Sequence, residues 1–129
     1  MDEFIVKTNS RSELLDISAE LQRLAAQHPQ AVSCVVFVPH TTAGVTINEN
    51  ADPDVKSDIL WALGRIVPEA GHFSHREGNS DAHVKASFLG SSVWLPLREG
   101  RLDLGVWQTV YLAEFDGPRA RQVKVVFQE

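Results

Sequence analysis

Two kinds of hydrophobic pattern divide this chain, and their order limits the fold more than any other feature. The first 66 residues carry two stretches whose apolar side chains recur at helical spacing. From residue 83 onward, apolar and polar side chains alternate in short runs broken by tight turns. Helices gathered in one half and short strands in the other argue α+β with a largely antiparallel sheet. Such a sheet is expected to curl into a barrel or sandwich, with two main helices, in one compact domain spanning residues 1–129.

The elements follow from local chemistry. Ser10-Arg11-Ser12-Glu13 has the form of a capping box, serine and glutamate satisfying each other's free backbone donors. It predicts a helix carrying Leu14, Ile17, Leu21, Leu24 and Ala25 and ending at Gln27-His28-Pro29. Residues 31 to 38 read as a strand buried on both faces, and 43 to 48 as another. Asp52-Pro53-Asp54 opens a second helix with Val55, Ile59, Ala62, Leu63 and Ile66 on its apolar face. A polar segment follows Pro68 to about residue 82. Val84, Ala86 and Phe88 then alternate with His83, Lys85 and Ser87, predicting a strand. Val93, Leu95 and Leu97 continue the pattern, and Glu99-Gly100 reverses the chain into Leu102 and Leu104. Residues 106 to 115 and 121 to 128 read as the last strands, joined at Asp116-Gly117-Pro118.

Composition narrows the function. A formal net charge of -5 supplies no basic field for a nucleic-acid backbone. No apolar run approaches transmembrane length, and "MDEFIVKTNS" lacks the basic start and apolar stretch of a signal peptide. The single Cys34 lies in an apolar run and reads as a buried small hydrophobe. No nucleic acid, no membrane and a reducing cytoplasmic setting are the expectation.

Histidines carry the chemistry. His28, at a helix end, reads as a partner of the terminal carbonyls. His40, His72, His75 and His83 sit in polar loops or at strand ends, with "HREGNSDAH" at 75 to 83 adding Glu77, Asn79 and Asp81. Imidazoles beside carboxylates are what zinc or a similar transition metal selects, while the plain alternative is a set of surface histidines. Sharper motifs fail. His75-Arg76-Glu77 lacks the downstream P-C-x-x-C of zinc deaminases. Asn48, Asn50 and Asp52 imitate an EF-hand, but Pro53 and Ile59 stand where it needs glycine and glutamate.

"HTTAGVTINENADPDV", "HREGNSDAHVKASFLGSS" and "GRLDLGVWQTVYLAEFDGPRARQVKV" closely resemble the YjbQ-like family, known as secondary thiamine-phosphate synthases, along nearly the whole chain. The resemblance implies a compact α+β homotrimer with a histidine-lined metal or anion site near subunit boundaries. It places that site, catalytic and metal-binding, on His40 of the HTT motif and on His75 and His83 of H-x-E-G-N-x-x-A-H. His72 matches no motif position. The resemblance also implies substrate binding by Trp107 and Gln108, in a Gly-Thr-Trp-Gln segment that here reads Gly105-Val106-Trp107-Gln108.

The implied reaction joins a pyrimidine pyrophosphate to a thiazole phosphate and releases pyrophosphate. Anion recognition then falls to Thr41, Thr42 and Asn79, with Arg76, Lys85, Arg119 or Arg121 supplying charge. A divalent metal, zinc by its histidine ligands or magnesium by its pyrophosphate partner, stabilises the leaving oxygens. Glu77 or Asp81 is expected to accept the free ring N–H of a ligating histidine. The alternatives are a metal- or phosphate-binding protein or metal-dependent hydrolase with another substrate, and a purely structural trimer.

Overall fold

The computed structural model describes all 129 residues. In chain order the elements are β1 (Asp2–Lys7), β2 (Glu13–Asp16), α1 (Ser18–Ala25), β3 (Ser33–Phe37), β4 (Ala43–Glu49) and α2 (Pro53–Ile66). There follow α3 (Ser80–Leu89), β5 (Ser92–Arg98), β6 (Arg101–Leu102), β7 (Gln108–Glu114) and β8 (Ala120–Gln128). A curled five-stranded sheet, β1-β8-β3-β5-β6, faces a three-stranded sheet, β2-β7-β4, and every pairing is antiparallel. The α+β expectation holds. No helix is long and apolar enough to cross a membrane.

The layers explain the burial of β7. Val110 and Leu112 point into the core between the sheets, against Val36, Val45, Leu95, Val123 and Val125. Tyr111 and Ala113 alternate to the other face, where Ala82 and Ala86 of α3 and the half-buried Ile59, Leu60 and Leu63 of α2 cover them. The small sheet is thus sandwiched between the large sheet and two helices. The outer face of the large sheet is uncovered: the register aligns Val126, Val35 and Trp94 across three strands, with Val126 and Trp94 exposed.

Three expectations need correction. Glu13 does accept backbone donors, from Asn9 and Ser10 at 2.5 and 2.8 Å, but it opens β2 instead of a helix. The α1 helix starts later, with Asp16 Oδ1 accepting the Ser18 amide at 2.8 Å. The N-terminal strand β1, pairing with β8, was not expected.

The third correction matters most for the site: residues 80 to 89 form helix α3, not a strand. Its buried stripe is Ala82, Lys85 and Ala86 with Asp81 alongside, small or charged residues that a hydrophobicity pattern overlooks. The larger Val84 and Phe88 that suggested alternation are exposed. Alanines let the helix lie close to the small sheet, and Gly44 completes the fit. A Cβ there would stand 2.6 Å from the Gly90 carbonyl oxygen.

Candidate functional site

The chain leaves β3 through Val38-Pro39-His40 and enters β4 through Thr41-Thr42, so the HTT turn sits where the two sheets meet. The Gln122 backbone amide donates to His40 Nε2 at 2.8 Å. An amide N–H can only donate, so Nε2 must be the unprotonated nitrogen and the neutral ring carries its hydrogen on Nδ1. Partial burial lowers the His40 pKa below the ordinary value of 6.5, and the Arg121 charge adds to the effect against an opposing contribution from Glu114. His40 is therefore a neutral N–H donor near pH 7.

A cleft of about 480 Å³ opens beside it, lined by His40, Thr41, Ala43, His83, Ala86, Ser87, Gly90 and Ser91. Because α3 is a helix, His83 and Ser87 lie four residues apart on one face and reach this cleft together. The Ser87 hydroxyl donates to the His83 carbonyl at 2.9 Å. The ring of His83 is held by packing instead, edge-to-face on His75 with centroids 5.3 Å apart and planes at 85°.

On its other side His83 lines a second hollow of about 380 Å³ with Phe73, Ser74, His75, Ser80 and Val84. Here Asp116 sets the protonation pattern. Its Oδ2 accepts from Asn79 Nδ2 at 3.0 Å, which turns Asn79 Oδ1 toward His75 Nε2 at 3.1 Å. His75 thus carries a hydrogen on Nε2, the nitrogen that His40 leaves bare. The carboxylate behind a histidine was expected at Glu77 or Asp81. Glu77 stands 3.8 Å from His75 at an exposed position, and Asp81 is buried against Lys85 and Arg11. Asp116, acting through Asn79, takes that place. Its sequence signal was the polar Asp116-Gly117-Pro118 turn, which read as a turn only.

The expected charge contacts lie elsewhere. Lys85 is spent on Asp81 at 3.0 Å, and Arg119 pairs with Asp116 at 3.2 Å. Arg76 lines a third hollow with Glu69, His75 and Gly78, away from His40 and His83. Arg121 is buried against Glu114, and the Thr42 hydroxyl accepts from it, leaving only Thr41 of the two threonines in the cleft. Trp107 projects from an exposed loop, where Gln108 Oε1 accepts the Gly105 amide at 2.8 Å. His28 stacks on Phe127 at 4.0 Å and meets Asp2 at 3.0 Å, contacts its helix-end position did not suggest.

A three-histidine metal centre does not fit one chain. No group of three or more His, Cys, Asp or Glu side chains is placed to hold an ion. His40 could ligate only by giving up the Gln122 hydrogen bond or the proton on Nδ1. His83 is the shared member, meeting His40 across one cleft and His75 across the other.

The sequence model of a family described as UPF0047 protein YjbQ-like matches residues 2–129. A UPF0047 protein of Methanocaldococcus jannaschii is 47% identical over 124 residues, 94% of this chain and 90% of its own. YugU of Bacillus subtilis, also a UPF0047 protein, is 44% identical over 118 residues, 90% of this chain and 89% of its own. A crystal structure from Clostridium acetobutylicum, described as an uncharacterized conserved protein of the same family, superposes with TM-score 0.95 at 46% identity. It covers 98% of this chain and 99% of that one. A Sulfolobus solfataricus structure, described as of unknown function, gives 0.93 at 32% identity, covering 99% and 96%.

These relatives overturn the synthase expectation. They are known as UPF0047 proteins, uncharacterized or of unknown function, and none is described as a thiamine-phosphate synthase. The physical reason agrees: no lysine or arginine lines the His40 cleft to take a pyrophosphate leaving group.

Proposed function

The chain belongs to the UPF0047 YjbQ-like family, and we propose that it binds a small ligand bearing an oxyanion between His40 and His83. In this reading His83 meets the bound ligand from the α3 side of the cleft. One observation carries it: the Gln122 amide on His40 Nε2 makes His40 a fixed neutral N–H donor, beside an imidazole whose nitrogens are uncommitted. The cleft volume of about 480 Å³ suits a small molecule. Hydroxyls of Thr41, Ser87 and Ser91 add donors around it. With no lysine or arginine in the lining, the oxyanion is met by hydroxyl and ring N–H donors.

Carboxylate and phosphoryl groups share this chemistry, and calorimetric titration with acetate and with inorganic phosphate separates them. His40→Ala and His83→Ala are each expected to weaken the preferred anion by about tenfold or more, the worth of one hydrogen bond to a charged group. Parent-like affinity in both variants, or no binding of either anion to the parent, refutes the reading.

We further propose that the protein is a homotrimer associating through the outer face of the large sheet, which puts the cleft close to a subunit boundary. The apolar row Val126, Val35 and Trp94, with Phe37 also exposed, supports burial of that face. The number three follows the family resemblance. A stable monomer in sedimentation at micromolar concentration refutes it. A cytoplasmic setting belongs to the same reading and suits the buried free thiol of Cys34.

A further inference from the structure

Behind the cleft, out of reach of any ligand, lies a charged pair that the proposed chemistry does not use. Glu114 and Arg121 are 0% and 2% exposed. Arg121 Nε donates to Glu114 Oε2 at 2.8 Å and its Nη2 to Oε1 at 2.5 Å, a two-pronged contact. Glu114 also accepts from the Thr8 hydroxyl and the Asp116 amide, both at 2.9 Å. Every lone pair that could be stranded has a donor.

A buried ion pair is weak evidence for stability, because apolar side chains of similar volume often serve as well. What this pair does have is reach. Arg121 Nη2 also donates to the Thr42 hydroxyl at 2.8 Å and to the Thr42 carbonyl at 3.2 Å. The next residue along β8, Gln122, gives its amide to His40. The HTT turn is therefore gripped at both ends by two adjacent residues of one strand, and Glu114 fixes the guanidinium that does half the gripping.

We infer that Arg121 is a positioning residue of the cleft: by holding Thr42 while Gln122 donates to His40 Nε2, it keeps His40 aimed as an Nδ1–H donor. The inference rests on the reading of the cleft as an oxyanion site, but its signature lies in the ligand-free protein. Lysine at 121 keeps the charge opposite Glu114 and loses the fork that reaches Thr42. Glutamine at both 114 and 121 removes both charges and keeps hydrogen-bonding groups.

The test is imidazole ¹⁵N NMR of ligand-free protein, in which protonated and unprotonated ring nitrogens resonate apart. The parent is expected to show His40 as the single Nδ1–H form. Arg121→Lys, folded by its amide spectrum, is expected to show a mixture of tautomers and a phosphate affinity lower by about tenfold. If Arg121→Lys does not fold, the Glu114→Gln/Arg121→Gln double variant gives the same reading. A mixed or Nε2–H form in the parent overturns the inference outright, as does a folded variant that keeps both the single tautomer and parental affinity. A parent that shows the Nδ1–H form, mixes tautomers on substitution and binds no phosphate supports positioning and refutes the oxyanion site alone.

Discussion

Lys85 Nζ meets the Asp81 carboxylate at 3.0 Å one helical turn away, and both side chains are withdrawn from solvent. The pair lies on the sheet-facing side of α3, so it serves the packing of the helix and not the cleft. Removing one partner leaves the other charge buried, a loss of roughly 3–5 kcal/mol in comparable pairs. Arg11, which also donates to Asp81 at 2.9 Å, softens that loss. Lys85→Met is expected to cost about 3 kcal/mol in urea denaturation and to leave anion affinity at the parental value. A variant of normal stability that has lost the anion would place Lys85 in the cleft after all.

Asn79 is the second lever. It joins Asp116 to His75 through two hydrogen bonds of 3.0 and 3.1 Å. Asn79→Leu keeps the bulk and removes both bonds, at a stability cost of about 1 kcal/mol. His75 is expected to change from the Nε2–H form to a mixture of tautomers in imidazole ¹⁵N spectra, while His40 keeps its own. A His75 that stays Nε2–H shows that something other than Asn79 holds it.

Acid should destabilise the fold in two steps. Burial pushes the Glu114 carboxyl up, but hydrogen bonds from Arg121, the Asp116 amide and Thr8, with the Arg121 charge, outweigh it and hold the pKa below 4.5. His40 is held below 6.5, chiefly by burial. A group whose folded pKa is depressed stabilises the fold above its unfolded pKa and loses that contribution as pH falls through the folded one. The His40 contribution therefore fades below about pH 6.5 and that of Glu114 below about pH 4.5. Urea midpoints followed from pH 8 to 3 check this: His40→Ala should flatten the upper step and Glu114→Gln the lower one. Unchanged profiles in both variants contradict the assignment.

How far the sequence reveals this molecule depends on which residues do the packing. The β3 and β4 strands and α2 were legible because Val36, Val45 and Ile59 mark their faces, and because Asp52 accepts the Asp54 amide as a cap should. Helix α3 was not, since its buried stripe is alanine, lysine and aspartate while Val84 and Phe88 face outward. On a strand His83 shares a face with both Lys85 and Ser87; on the helix it keeps Ser87 beside it, while Lys85 turns into the buried stripe. His40 and His83 were found because histidine is conspicuous anywhere. The groups behind them were not, because Gln122 acts through its backbone and Asp116 through Asn79 across the fold. Neither pairing leaves a trace in local spacing.

In the proposed site His40 and His83 share one oxyanion. Inorganic phosphate titrated into protein labelled with ¹⁵N-histidine tests it most directly. The ring nitrogens of His40 and His83 are expected to shift along one common isotherm, while those of His28 and His72, which do not line the cleft, stay in place. Saturable shifts at His28 or His72 alone, or two unrelated isotherms at His40 and His83, would contradict it.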